Sequence, residues 1–96
     1  LVGGLGIVPG ANIGASAAIF EAVHGSAPDI AGKGIANPTA LIQSAVMMLH
    51  HVGEQAAAQR VEDALLAVYR AGRVRTPDLG GRATTHEFTD AVCAAV

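Results

Sequence analysis

Apolar residues recur along this chain with more than one period, and the changes of period divide it into elements. Residues 17–23 (Ala17-Ala18-Ile19-Phe20-Glu21-Ala22-Val23) form a short run with a single charge, closed off by Gly14 and Gly25, and predict a short buried strand. Residues 38–52 place Leu41, Ile42, Ala45, Met48, Leu49 and Val52 at helical spacing. Val46 and Met47 widen that stripe until little polar surface remains, so this helix is expected to be buried or to lie at a subunit interface. Its two methionines suit core filling better than ligand binding. His50 and His51 are adjacent, diverge by about 100° on a helix and do not readily share a metal; near a helix end they favour the dipole.

Gly53 ends that helix, and residues 54–71 form the next. Ala57, Ala58, Val61, Ala64, Leu65 and Val68 make one face, while Glu54, Arg60, Glu62, Asp63 and Arg70 make the other. Gly72 suits the C-cap. A loop at 73–83 follows, with Pro77 and the Gly80-Gly81 pair. Thr84 and Glu87 have capping-box spacing, which opens a last helix over 85–96 with Phe88, Ala91, Val92 and Ala95 facing inward.

Two glycine-rich stretches remain. Residues 1–14 (LVGGLGIVPGANIG) invite a nucleotide-loop reading, but Pro9 stands where the last glycine of G-x-G-x-x-G belongs. They are read instead as the tail of a helix and a turn-rich connection. Residues 24–37 (HGSAPDIAGKGIAN) are the other. Gly34 follows Lys33 where a phosphate-binding P-loop needs Ser or Thr. This loop lies between the strand-like run and Asn37-Pro38, a strong helix start with Asn as cap and Pro at the first helical position. Strand, glycine-bearing loop and helix N-terminus together suit a ligand with phosphate or ribose groups.

The side chains sharpen this. Gly25, Gly32 and Gly34 permit close approach of backbone to a ligand or positive φ. Asp29 can accept hydrogen bonds from both ribose hydroxyls of an adenosine, and its charge would repel a 2′-phosphate; by default, though, an Asp in such a loop is a turn residue bonded to its own backbone. Asn37 can cap its helix, bind adenine, or do both. His24 and Ser26 lack an evident third group to orient them as base and nucleophile. Glu21 is costly to bury unpaired and is expected to point toward the loop or a ligand, a structural hydrogen bond being the alternative. Asp78 is either a turn-former or a second ligand-facing acid.

Composition narrows the class. Ninety-six residues allow one domain at most, with 51% hydrophobic residues but only three aromatics and no tryptophan. A chain of that length buries only about two-thirds of its unfolded surface, and twelve glycines add backbone entropy. Such a chain is expected to be part of a larger core. It opens on apolar residues without Met and lacks the basic and apolar regions of a signal peptide, so the expectation is the C-terminal piece of a longer cytoplasmic protein. A net charge of −2 without a basic block points away from nucleic acid and anionic membranes. Cys93 is the sole cysteine, which excludes a disulfide framework.

The wording of 24–39, HGSAPDIAGKGIANPT, closely resembles the cofactor loop of the β-decarboxylating dehydrogenases of 2-hydroxy acids, the isocitrate, homoisocitrate, 3-isopropylmalate and tartrate/malate enzymes. The resemblance extends to residues 1–14, Phe20-Glu21, Met47-Met48-Leu49, Thr76-Pro77-Asp78-Leu79-Gly80-Gly81 and Ala83-Thr84-Thr85, and so spans nearly the whole chain. It implies an α/β fold, with this segment the C-terminal part of the larger domain and not the usual Rossmann dinucleotide fold. It implies a cofactor site made by His24, Gly25, Ser26, Ala27, Pro28, Asp29, Ile30 and Asn37, with Glu21 near the nicotinamide and Asp78 near the adenosine. NADP-dependent members have Lys-Tyr where this chain has Asp29-Ile30, so NAD is implied. The activity implied is oxidation of a 2-hydroxy acid by NAD followed by loss of CO₂, assisted by Mg²⁺ or Mn²⁺. The metal acids, the substrate arginines and the Tyr–Lys acid–base pair match no position here, so the segment by itself is expected to be inactive. The TPDLGG…ATT wording resembles isocitrate and homoisocitrate members more than isopropylmalate members, and the family suggests a homodimer. Outside the enzyme class, the alternative is a truncated nucleotide-binding or interaction module.

Overall fold

The computed structural model describes residues 9–23 and 27–96. Their element order is β1 (Pro9–Ile13), β2 (Ala18–Ala22), α1 (Thr39–His51), α2 (Gln55–Ala71), a 3₁₀ turn (Pro77–Leu79) and α3 (Thr85–Ala95). The strands form an antiparallel pair in which Pro9 faces Ala22 and Ile13 faces Ala18, joined through a bond from Gly14 N–H to the Ala17 carbonyl (2.7 Å).

The first strand corrects the expectation for 1–14. Residues 9–13 are neither helix tail nor connection but a strand; residues 1–8 lie outside the described region. The Pro-Gly pair reads locally as a turn, yet proline is tolerated at the first position of a strand, and glycine lets the partner approach. A Cβ on Gly10 would stand 2.7 Å from Val23 Cγ2. The second strand forms where expected but is not buried: Ile19 is 63% exposed, and the burial alternates along it. Two strands paired edge to edge leave the side chains on both faces open until something packs on them. A hairpin of that size gains its order from the helix packed on it, here α1, which touches both strands.

Helix α2 is the middle layer, packed on α1 on one side and on α3 on the other. Ala58, Ala64, Leu65 and Val68 are its buried residues, at the expected helical spacing. Ala64, Leu65 and Val68 meet Phe88 and Val92 of α3, and Ile42, Tyr69, Val74 and Ala91 close the rim of this core. Phe88 is its largest buried side chain and lies edge-on to Tyr69, with ring centroids 5.7 Å apart. Ala95, expected inside, is exposed at the end of α3. In α1 the buried positions are Thr39, Ala40, Ser44 and Val46. Leu41, Met48 and Val52 are exposed, so within this segment only one stripe of an almost wholly apolar helix is covered.

The helix ends follow local chemistry. Gly72 takes the left-handed conformation (φ 65°) and returns its N–H to the Val68 carbonyl at 3.2 Å. His50 and His51 diverge: the first meets the Gln55 side chain, the second the Phe20 ring at 5.5 Å. At α3 the capping box is complete, with Glu87 N–H donating to Thr84 Oγ1 at 3.0 Å and Thr84 N–H to Glu87 Oε1 at 2.9 Å. Replacing Thr84 with alanine removes half of it and is expected to cost about 1 kcal/mol, read as a lower thermal midpoint; an unchanged midpoint would show the cap to be dispensable.

Candidate functional site: the loop before α1

Two consecutive turns shape the described part of the loop. Ile30 N–H bonds the Ala27 carbonyl at 3.0 Å, and Lys33 N–H bonds the Ile30 carbonyl at 3.2 Å. Ala27 enters the first turn at φ 45°, a left-handed conformation unusual for a residue with a Cβ. Gly32 and Gly34 take positive φ more cheaply, at 80° and 67°. The first turn leaves Pro28 and Asp29 exposed and Ile30 half-buried. An accessible carboxylate thus sits beside an apolar side chain. His24, Gly25 and Ser26 lie outside the described residues.

The second half of the loop is fastened from below. Thr85 N–H donates to the Gly34 carbonyl at 2.8 Å, and Thr85 Oγ1 donates to the Ala36 carbonyl at 2.6 Å. The first residue of α3 therefore spends its free helix-terminal N–H on the loop. Asn37 comes next and is buried. Its Oδ1 accepts from Thr39 N–H at 3.0 Å and from Thr39 Oγ1 at 2.6 Å. Helix α1 begins one residue later than expected: Pro38 is the N-cap residue, and Asn37 supports the first turn from just outside it.

The same amide reaches across the fold. Asn37 Nδ2 donates to Asp78 Oδ2 at 3.1 Å and to Tyr69 Oη at 3.3 Å. Tyr69 Oη also lies 2.6 Å from Thr39 Oγ1, and Thr76 Oγ1, wholly buried, donates to the other Asp78 oxygen. Of the residues singled out in the sequence, the structure brings Asn37 and Asp78 into direct contact although 41 positions separate them. Glu21 is exposed on β2, in register with Gly10, so no burial cost forces it toward the loop. Tyr69, Thr39, Thr76 and Thr85 escaped sequence reasoning. The signal for Tyr69 was faint: a hydroxyl-bearing ring at the margin of an otherwise aliphatic helix face.

The 73–83 loop is held by a close backbone approach. Ala83 N–H bonds the Arg75 carbonyl at 2.9 Å, and a Cβ on Gly81 would stand 2.0 Å from that carbonyl oxygen. Beside it runs an open groove of about 720 Å³ whose lining includes Arg73, Arg75, Arg82, Glu87 and Asp90. Among the described residues no group of three or more His, Cys, Asp or Glu is placed to hold a metal ion.

Residues 1–92 match the isocitrate/isopropylmalate dehydrogenase family, and the chain belongs to it. It is 65% identical over 96 residues to an isocitrate/homoisocitrate dehydrogenase from Thermus thermophilus, covering all of this chain and 28% of that protein. It is 56% identical over 97 residues to the mitochondrial NAD isocitrate dehydrogenase subunit alpha of Homo sapiens, covering 26% of it. Isocitrate dehydrogenase from Methylococcus capsulatus superposes with a TM-score of 0.92 at 55% identity, over 97% of this chain and 28% of that one. A β-decarboxylating dehydrogenase from Thermococcus kodakarensis superposes at 0.87 with 44% identity, over 97% and 27%. The α/β architecture is thus that of this family, and the chain spans about a quarter of the length of these relatives.

Proposed function

We propose that this chain supplies the adenosine side of the NAD site in a decarboxylating dehydrogenase acting on a 2-hydroxy acid. The observation supporting this most directly is the turn at 27–30, which leaves Asp29 exposed beside the half-buried Ile30 on a loop fastened to α1 and α3. Such an arrangement fits an adenosine: the carboxylate accepts from both ribose hydroxyls, and the apolar side chain covers the base. A carboxylate there disfavours a 2′-phosphate by charge repulsion and by leaving no donor for it.

NAD, when bound, supplies the hydride acceptor for oxidation at the hydroxyl-bearing carbon. The residues of this segment bind and orient the cofactor's distal half; His24, Gly25 and Ser26 belong to the same proposed surface, with Glu21 assigned to the nicotinamide side. Mg²⁺ or Mn²⁺ in the complete enzyme would take its ligands from outside these residues. Isocitrate is the first choice of substrate, homoisocitrate the second and 3-isopropylmalate the third. The names of the relatives support that order. A homodimer and a cytoplasmic location complete the reading; among the described residues no helix is long and apolar enough to cross a membrane.

The test is a substrate panel on the complete enzyme with NAD and Mg²⁺. The highest kcat/KM is expected with isocitrate. A preference for homoisocitrate or isopropylmalate would overturn the substrate, and absence of NAD reduction with all three would overturn the reaction.

A further inference from the structure

We infer that Tyr69 and Asp78 are positioning residues that set NAD affinity through Asn37, without touching the cofactor. The inference rests on the proposed NAD site and goes beyond it by moving Asp78 from ligand contact to support and by adding Tyr69.

The hydrogen-bond directions carry the argument. Thr39 N–H can only donate and the ionised Asp78 carboxylate can only accept, so the Asn37 amide has one orientation, oxygen toward Thr39 and nitrogen toward Asp78. Thr39 Oγ1 spends its single hydrogen on Asn37 Oδ1. The Tyr69 hydroxyl must then donate to Thr39 Oγ1, while its oxygen accepts from Asn37 Nδ2. The three groups form a ring of donors running in one sense, from Asn37 to Tyr69 to Thr39 and back. Asp78 takes the second Asn37 amide hydrogen and is itself held by Thr76.

Two consequences follow. All four hydrogen-bonding positions of the Asn37 amide are used inside the protein, so its side chain has none left for adenine. Asp78 takes Asn37 on one oxygen and Thr76 on the other and so braces two loops; it is exposed and each oxygen keeps an acceptor site, so the variants below separate the brace from a direct ribose acceptor. What the brace fixes is the end of the 27–37 loop where it enters α1. Asp29 lies on the same loop, so release of Asn37 lets the ribose acceptor shift relative to the helix.

The test is NAD steady-state kinetics on the complete enzyme, with thermal melts alongside. Tyr69→Phe removes an acceptor and a donor at once and is expected to raise KM for NAD about 5–10-fold, with kcat within about twofold of the parent. Asp78→Ala should do the same. Asp78→Asn keeps an acceptor for Asn37 and offers its NH2 to Thr76 Oγ1, which must then accept where it donated before, and is expected to restore KM to within about threefold of the parent value. In an Asn37→Ala background, Asp78→Ala should add less than about twofold, because the two act as a unit. If Asn37→Ala does not fold, the Tyr69→Phe and Asp78→Ala cycle replaces it, with the same non-additivity expected.

The inference is overturned if Asp78→Asn is as damaging as Asp78→Ala and the effect persists without Asn37, since the carboxylate would then be a direct ligand. It is also overturned if Tyr69→Phe lowers the melting temperature and leaves KM for NAD where it was. Asp29→Ala serves as the reference. If it fails to raise KM for NAD, the site reading itself is wrong; if it does and the positioning variants do not, only this inference falls.

Discussion

Exchanging Asp29 and Ile30 for the Lys-Tyr pair of the NADP-dependent branch is expected to reverse cofactor preference. On the proposed site, loss of the carboxylate would remove two charge-assisted bonds to the ribose, each worth about 1.5–3 kcal/mol, so kcat/KM for NAD should fall at least about 100-fold. The new cation and phenol give a 2′-phosphate partners where the parent offered repulsion, and NADP should gain correspondingly. The turn itself is expected to tolerate the change, because Asp29 is exposed and a backbone bond from Ile30 N–H to the Ala27 carbonyl closes the turn. Kinetics with both cofactors read the result. An NAD:NADP ratio that moves by less than about tenfold would mean that the 2′-position is read elsewhere.

The second large effect is on stability. Phe88→Ala empties the centre of the α2–α3 core, where the ring is 1% exposed and touches the edge of Tyr69. Truncating a ring at such a site costs about 3–5 kcal/mol from lost transfer energy and the cavity left behind, a large share of a normal folding free energy. Urea unfolding of the complete enzyme checks this through the shift in midpoint. A change below about 1 kcal/mol would show that the core can collapse onto the space. Because Tyr69 leans on Phe88, this substitution should also loosen the hydrogen-bonded ring at Asn37 and weaken NAD binding.

How far the sequence discloses this molecule depends on the range of the interactions. The helices are legible because their information is local: the periodicity of 54–71, the Thr84–Glu87 box and the Gly72 stop each act within a few residues. Strand β1 is not, since Pro9-Gly10 has turn chemistry and becomes a strand only because residues 18–22 pair with it. The exposure of Ile19, Leu41, Met48 and Val52 is equally invisible in a hydropathy pattern, which says what prefers burial and not what is present to cover it. Within the candidate site, a glycine-bearing loop carrying an acid is readable from the wording of 24–37. The bond between Asn37 and Asp78, and the part played by Tyr69, depend on contacts across 32 and 41 positions. No short-range rule contains them.

Asn37 shows the same limit from the other side. Its place before proline correctly marks a helix start, but the reading leaves capping and adenine binding open together. In the structure the side-chain amide makes its bonds to Thr39, Tyr69 and Asp78, which is the basis of the inference that it positions the loop. The bonding at Thr85 explains why the loop lies where it does, since both polar groups of that residue hold loop carbonyls.

The measurement closest to the central claim is a crystal structure of the complete enzyme with NAD bound. The account predicts both ribose hydroxyls of the adenosine within hydrogen-bonding distance of the Asp29 carboxylate, the base against Ile30, and the Asn37 amide still turned inward to Tyr69 and Asp78. An adenosine seated on other elements, with Asp29 left facing solvent, would contradict it.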